Sequence, residues 1–303
     1  MMADEEIRAE IERLRQETGA LILAHNYQRP EVQDLAEYVG DSLGLARQAA
    51  ATGAEVIIFC GVHFMAETAN ILCPDKITVL PEPEAGCPLA DTITAAGLRA
   101  LKAEHPGAVV VTYVNSSAEV KAESDYCCTS GNAVSVVNSI DAPEIIFAPD
   151  RNLGRYVADL TGKRLILWDG CCPIHERISA EQIRALKKAH PAAPVVVHPE
   201  CRKEVVELAD AVASTSGIFE YAARSEAEEL IVGTELGMYH RLKKLNPGKE
   251  FLFPSANTLC PNMKLITLPK VLRALQTLEP RVVVSADMRE KALAAVDRMV
   301  AIG

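Results

Sequence analysis

The sequence predicts an α/β fold of three small three-layer αβα units, each with a parallel sheet, sharing one central cleft. Three observations carry this reading. First, short apolar segments ending in polar residues recur as LILAHNY, VVVTYVN and VVVHPE, anchored at His25, Tyr113 and His198, which lie 88 and 85 residues apart. Second, landmarks follow each anchor in register: a hydroxyl 17 residues on (Ser42, Ser130, Thr215), a buried strand from 32 residues on (Ile57, Ile145, Leu230), and a further strand end at 55 (Leu80, Trp168, Phe253). Third, the strands are near-continuous Val, Ile and Leu runs separated by helical patterns, the mark of a parallel sheet covered on both faces. Internal repeats of this kind determine the fold before any single motif does.

The first repeat reads as a helix at 5–17, where Ile7, Ile11 and Leu14 share one face, and a strand at 21–25. Helices follow near 31–38 and 43–52, then a strand at 56–60, a helix from 63 and a strand at 77–80. Helices at 94–105 and 179–190 precede the second and third repeats in the same way. Short connections imply right-handed crossovers. The predicted units are 1–86, 87–171 and 172–263, with a tail over 264–303 expected to pack back on the first.

Composition narrows the class of function. A chain of 303 residues with 49% hydrophobic and 24% charged residues has ample material for a packed core. The net charge of −10, with no basic run or stripe, argues against nucleic-acid binding. No stretch reaches about 18 uninterrupted apolar residues, so no membrane span is expected. The opening MMADEEIRAEIERLRQ is charged and helical rather than a signal peptide, which places the chain in the reducing cytoplasm. Nine cysteines, an odd number in such a compartment, point away from a disulfide framework.

In parallel α/β sheets, ligands gather beyond the carboxyl ends of the strands. His25, Asn26 and Tyr27, then Tyr113 and Asn115, then His198 and Glu200, stand at those ends in the three repeats. The hydroxyls at 17 stand near predicted helix starts. A Ser or Thr there is first an N-cap, worth about 1 kcal/mol. A helix N-terminus also offers free N–H groups and partial positive charge to an anion.

Each repeat also ends near a cysteine. Cys87 and Cys260 lie 62 residues after their anchors; the second repeat offers Cys171 or Cys172, at 58 or 59. Proline follows Cys87, Cys172 and Cys260, so Cys172 is the better match, although Cys73-Pro74 shows the dipeptide alone to be weak. Soft thiolates select zinc, copper(I) or iron–sulfur clusters. No CxxC pair is present, so zinc-ribbon and thioredoxin-like readings lose support. Clusters ordinarily take four cysteines, and three in register suggest one metal position left open to substrate. Cys60 and Cys73 read as core, and Cys127, Cys128 and Cys201 as packing or lining the cleft.

The segments AHNYQRPEVQDLAEYVGDSL, TYVNSSAEVKAESDYCCTSGNA, GCCPIHE, HPEC, STSG and CPNMK, spread over residues 24–264, together resemble the quinolinate synthase family, the A-type enzymes of NAD biosynthesis. The resemblance implies a pseudo-three-fold triangular fold and an oxygen-sensitive 4Fe-4S cluster on Cys87, Cys172 and Cys260, with its fourth iron open. The implied reaction condenses iminoaspartate with dihydroxyacetone phosphate to quinolinate, losing phosphate and two waters. His25, Ser42, Tyr113, Asn115, Ser130, Ser214 and Thr215 resemble the family's substrate- and product-binding positions. Tyr27, His198 and Glu200 resemble its acid–base group, and His175 a residue lining the cleft beside the cluster. An aspartate oxidase or dehydrogenase is the expected source of iminoaspartate. Some relatives carry a C-terminal CxxC for redox control; this chain has no cysteine after Cys260, so no such switch is expected. Two other readings stand beside this one: an iron–sulfur hydro-lyase acting on a different small hydroxy acid, and an anion-binding protein whose cysteines are inert.

Overall fold

The computed structural model describes residues 3–302. Twelve strands form three sheets. The first holds β1 (Leu21–His25), β2 (Tyr38–Gly40), β3 (Val56–Cys60) and β4 (Ile77–Val79). The second holds β5 (Val109–Tyr113), β6 (Tyr126–Cys128), β7 (Ile145–Ala148) and β8 (Leu165–Leu167). The third holds β9 (Val195–Val197), β10 (Ala211–Val212), β11 (Glu229–Gly233) and β12 (Glu250–Leu252). Every pairing within these sheets is parallel, and all three have the same order: β2-β1-β3-β4, β6-β5-β7-β8 and β10-β9-β11-β12. In that order the chain leaves the first strand of each unit on one side and returns on the other. The crevice above the first and third strands is therefore a topological switch point, where ligands bind.

The strands form because β-branched and long apolar side chains are buried on both sheet faces. β3 and β7 are buried at every residue. The preceding helices are Asp4–Thr18, Ala95–Glu104 and Ala180–Ala189, close to their predicted spans. One prediction needs correction. The expected helix near 31–38 is a single turn, Pro30–Gln33, and the chain then extends into β2. The same turn followed by a short strand recurs as Ala118–Lys121 with β6 and Lys203–Val206 with β10, giving each sheet a fourth strand.

Helix Leu268–Thr277 packs on helix Asp4–Thr18, while helix Ala286–Ala301 lies across helix His63–Leu72 of the first unit and β6 of the second. The first two sheets and this tail share a continuous apolar core, from Ile22 and Phe59 through Val137 and Phe147 to Val296 and Met299. The third sheet has separate apolar clusters on its two faces. Among the described residues, no helix is long and apolar enough to cross a membrane.

Candidate active site

The carboxyl ends of the three sheets meet at one cavity, with about 680 Å³ of space between its walls and mouth. His25, Tyr27, Ser42, Cys87, Tyr113, Asn115, Ser130, Cys172, His175, His198, Glu200, Thr215 and Cys260 all line it. Ser214, the remaining residue expected there, does not. Its Oγ instead accepts the Gly217 N–H at 3.3 Å, capping helix Thr215–Arg224.

This capping is part of a pattern. Asp41, one residue before Ser42, accepts the Gly44 N–H at 2.8 Å and caps helix Ser42–Ala51. Thr129, one residue before Ser130, takes the Gly131 N–H on its hydroxyl at 3.2 Å. In each repeat one residue secures the turn and the next turns its hydroxyl to the cavity. In the first and third repeats the N-cap is thus one position before the in-register hydroxyl, while in the second the helix Ala133–Ser139 starts after Asn132 with no side-chain cap. No Lys or Arg lines the cavity among the described residues. Attraction for an anion must then come from hydroxyls, imidazole N–H groups and the starts of two ten-residue helices.

His25 and His198 hold equivalent positions and share one device. The N–H two residues on, from Tyr27 or Glu200, donates to the ring Nδ1 at 3.1 and 3.3 Å. For His25, whose Nδ1 accepts, the neutral ring carries its proton on Nε2. His198 Nε2 lies 3.2 Å from Ser130 Oγ. Burial lowers both pKa values, that of His25 to about 3; in His198 the neighbouring His175 adds to burial and Glu200 opposes it.

A polar chain links the first and third units and, through His198 Nε2, reaches Ser130 of the second. Tyr27 Oη meets Thr234 Oγ1 at 2.9 Å, and Thr234 Oγ1 meets His175 Nε2 at 2.9 Å. His175 Nδ1 lies 2.8 Å from Glu200 Oε2, which is 3.3 Å from His198 Nδ1. The His175–Glu200 approach lacks the alignment of a hydrogen bond, and His175 Nδ1 and Glu200 Oε1 find no hydrogen-bond partner within the protein. Burial pushes the Glu200 carboxyl up, but the imidazoles of His175 and His198 outweigh it and hold it well below the usual range. Burial, helped by the Glu200 charge, raises the Tyr27 and Tyr113 phenols. Asn115 Oδ1 is also buried without a partner. Buried polar atoms are almost always satisfied, so these three atoms call for a polar occupant.

The cysteine loops repeat a further feature. The N–H of the residue after the third-strand turn donates to the carbonyl two residues before the cysteine: His63 to Ala85, Arg151 to Gly170 and Leu236 to Thr258, each at 2.8 Å. This clasp pairs Cys172, not Cys171, with Cys87 and Cys260. Cys171 lies off the cavity wall, with the Arg151 guanidinium beside it. The three cavity thiols sense one another: charge on Cys260 raises Cys87, and charge on Cys87 raises Cys172, in both cases adding to burial. One ligand atom from each of Cys172, His175 and Glu200 falls within 4.8 Å of the others, a candidate metal site. Three soft thiols lining one cavity, which also holds polar atoms lacking partners, fit a thiophilic metal centre. All nine cysteines are free, and Cys60, Cys73, Cys127, Cys128 and Cys201 are buried.

Sequence reasoning missed Thr234, Asp150 and Glu235. Thr234 joins Tyr27 to His175 but has no hydroxyl counterpart in the other repeats, where Gly61 and Pro149 stand in register. Asp150 and Glu235 both lie 37 residues after their anchors, a shared spacing that could have revealed them.

Fold and site together define an α/β enzyme with acid–base groups gathered beside a candidate metal centre. The family model described as "Quinolinate synthetase A protein" matches residues 9–301, and the chain belongs to that family. It is 54% identical over 301 residues to a quinolinate synthase from Geobacter sp. (strain M21), covering 99% of each chain. It is 56% identical over 298 residues to one from Dehalococcoides mccartyi (strain CBDB1), covering 98% of this chain and 99% of the relative. A relative of the same name, from Methanoregula boonei (strain DSM 21154 / JCM 14090 / 6A8), is 53% identical over 296 residues, 98% of each chain.

Proposed function

We propose that this chain condenses iminoaspartate with dihydroxyacetone phosphate to quinolinate, with loss of phosphate and two waters, beside a 4Fe-4S cluster held by Cys87, Cys172 and Cys260. The observation that carries the reading is the convergence of three clasped cysteine loops on a cavity crossed by the Tyr27–Thr234–His175–Glu200–His198 chain. When bound, the cluster's open iron supplies Lewis-acid polarisation of a substrate hydroxyl or carboxylate.

The protein's own groups do the rest. Ser42 and Thr215, at the starts of two helices, and Ser130, held by His198 Nε2, receive the anionic groups of substrate. Neutral His25 donates from Nε2 to a substrate oxygen. Glu200, kept ionised by two imidazoles, accepts protons; Tyr27, kept protonated by burial, donates them. Enclosure limits water and so protects the imine from hydrolysis. Iminoaspartate is short-lived in water, which calls for an aspartate oxidase or dehydrogenase as supplier. A reducing cytoplasm suits nine free cysteines.

The test is anaerobic purification with iron and sulfide analysis, followed by assay for quinolinate. About four iron and four sulfide per chain are expected. Cys172→Ala should abolish cluster and product, while Cys171→Ala keeps both. A colourless, metal-free protein that still made quinolinate would overturn the proposal, and the reverse cysteine result would overturn the ligand choice.

A further inference from the structure

The three cysteine loops share a backbone clasp but differ in what holds the cysteine itself. The Cys172 N–H donates to Asp150 Oδ2 at 3.0 Å, and the other oxygen of Asp150 takes the Leu153 N–H at 2.8 Å. The Cys260 N–H donates to Glu235 Oε1 at 2.9 Å, and Glu235 Oε2 takes the Gly237 N–H at 2.6 Å. Lys264 Nζ also lies 3.1 Å from Glu235 Oε1. Both acids are fully buried, so each is an expensive fixture. Each ties the cysteine loop to the start of the helix that follows the third strand of its sheet. Val62 is the in-register residue of the first repeat, and its side chain can accept nothing.

We infer that Asp150 and Glu235 are positioning residues that pre-set Cys172 and Cys260 as a rigid pair, leaving Cys87 on the loop that adjusts last. The inference rests on the reading of these cysteines as ligands. Its physical content is a difference in order between loops. A carboxylate with two N–H donors fixes the backbone of the cysteine it touches, and fixed ligands lose less freedom when they bind a metal. Cys87 closes the set from a loop with no carboxylate on its cysteine N–H; besides the clasp it is held through its neighbour's carbonyl, where Asn262 Nδ2 donates to Gly86 at 2.8 Å.

Hydrogen exchange at the three cysteine amides of the metal-free, reduced chain tests this without any variant. Cys172 and Cys260 should exchange about ten-fold more slowly than Cys87, the effect of a hydrogen bond to a charged acceptor. Asp150→Ala should accelerate exchange at Cys172 only, and Glu235→Ala at Cys260 only. After anaerobic reconstitution, each alanine variant should retain iron about 10- to 100-fold less firmly against a chelator. Asp150→Asn and Glu235→Gln, whose single amide oxygen can still accept one of the two N–H groups, should recover part of the loss. Equal exchange at all three amides in the wild-type chain would overturn the inference. So would alanine variants that hold iron as firmly as wild type. A wild-type chain that takes up no iron would sink the cluster reading, while the exchange comparison would still decide the pinning.

Discussion

The first and third repeats have the same strand order and equivalent histidines, yet they are built into the molecule differently. In the first, helix His63–Leu72 buries seven residues, including Phe64, Met65 and Ile71, because helix Ala286–Ala301 covers it. Its counterpart in the third, Met238–Leu245, buries only Met238 and Leu242 and leaves Tyr239 and Leu245 exposed. The first repeat is continuous with the apolar core of the second. Polar groups dominate where the third meets the others: Arg241 to Asn26 Oδ1 at 2.8 Å and to the Val39 carbonyl at 2.6 Å, Gln33 to the Gly237 carbonyl at 3.0 Å, and Asn152 to the Glu200 carbonyl at 3.1 Å. The candidate site therefore lies at a seam between an apolar pair and a third unit docked by hydrogen bonds. Substitutions in the tail should tax stability, and substitutions at the seam should tax the site.

The largest expected effect is at the seam. Glu200→Gln removes the charge that faces both His175 and His198, and should lower turnover by about 10²- to 10⁴-fold while the brown colour and iron content persist. Near-normal activity would remove Glu200 from proton transfer. Next comes the tail. Met299 is fully buried in the shared core, so Met299→Ala should cost about 2–5 kcal/mol in urea unfolding with iron loading unchanged at low temperature. A loss of iron without loss of stability would break the division between tail and seam.

Acidification gives a smaller and graded effect. The folded His25 pKa lies near 3, below the ordinary 6.5, so between those values the unfolded chain binds more protons than the native one. Stability should fall as pH drops through that window, by up to about 1.4 kcal/mol per pH unit from this residue. His25→Gln should flatten the slope in a pH series of urea melts; an unchanged slope would show that His25 is not held neutral. The smallest effect belongs to the exposed edge of the seam, where Asp34 meets His240 at 2.9 Å and Lys244 at 2.8 Å. Asp34→Ala should cost less than about 1 kcal/mol by thermal unfolding, with activity near wild type.

Much of this was legible in the sequence because three-fold repetition turns weak signals into registered ones. The anchors, the hydroxyls at 17 and the Cys-Pro loops each mean little alone. What escaped has physical reasons. β2, β6 and β10 read YVG, YCC and AV, without the Val, Ile and Leu runs that marked the equally short β4, β8 and β9, and the turn before β2 carried enough helical character to extend a predicted helix through it. Ser214 and Thr215 are adjacent hydroxyls, and only backbone geometry shows that the first caps while the second faces the cavity. Thr234 serves as a bridge between side chains from two different repeats, a role with no local signature.

The shared clasp also bears on how such chains can change length. From the clasp donor to its cysteine the first and third repeats run 24 residues, from His63 to Cys87 and from Leu236 to Cys260, whereas the second runs only 21, from Arg151 to Cys172. The three missing positions leave the bonded carbonyl two residues before the cysteine in every case. Deletions and insertions are thus absorbed upstream of that carbonyl, while the final two residues behave as a fixed ruler, and any drift in length there would carry the sulfur away from its partners.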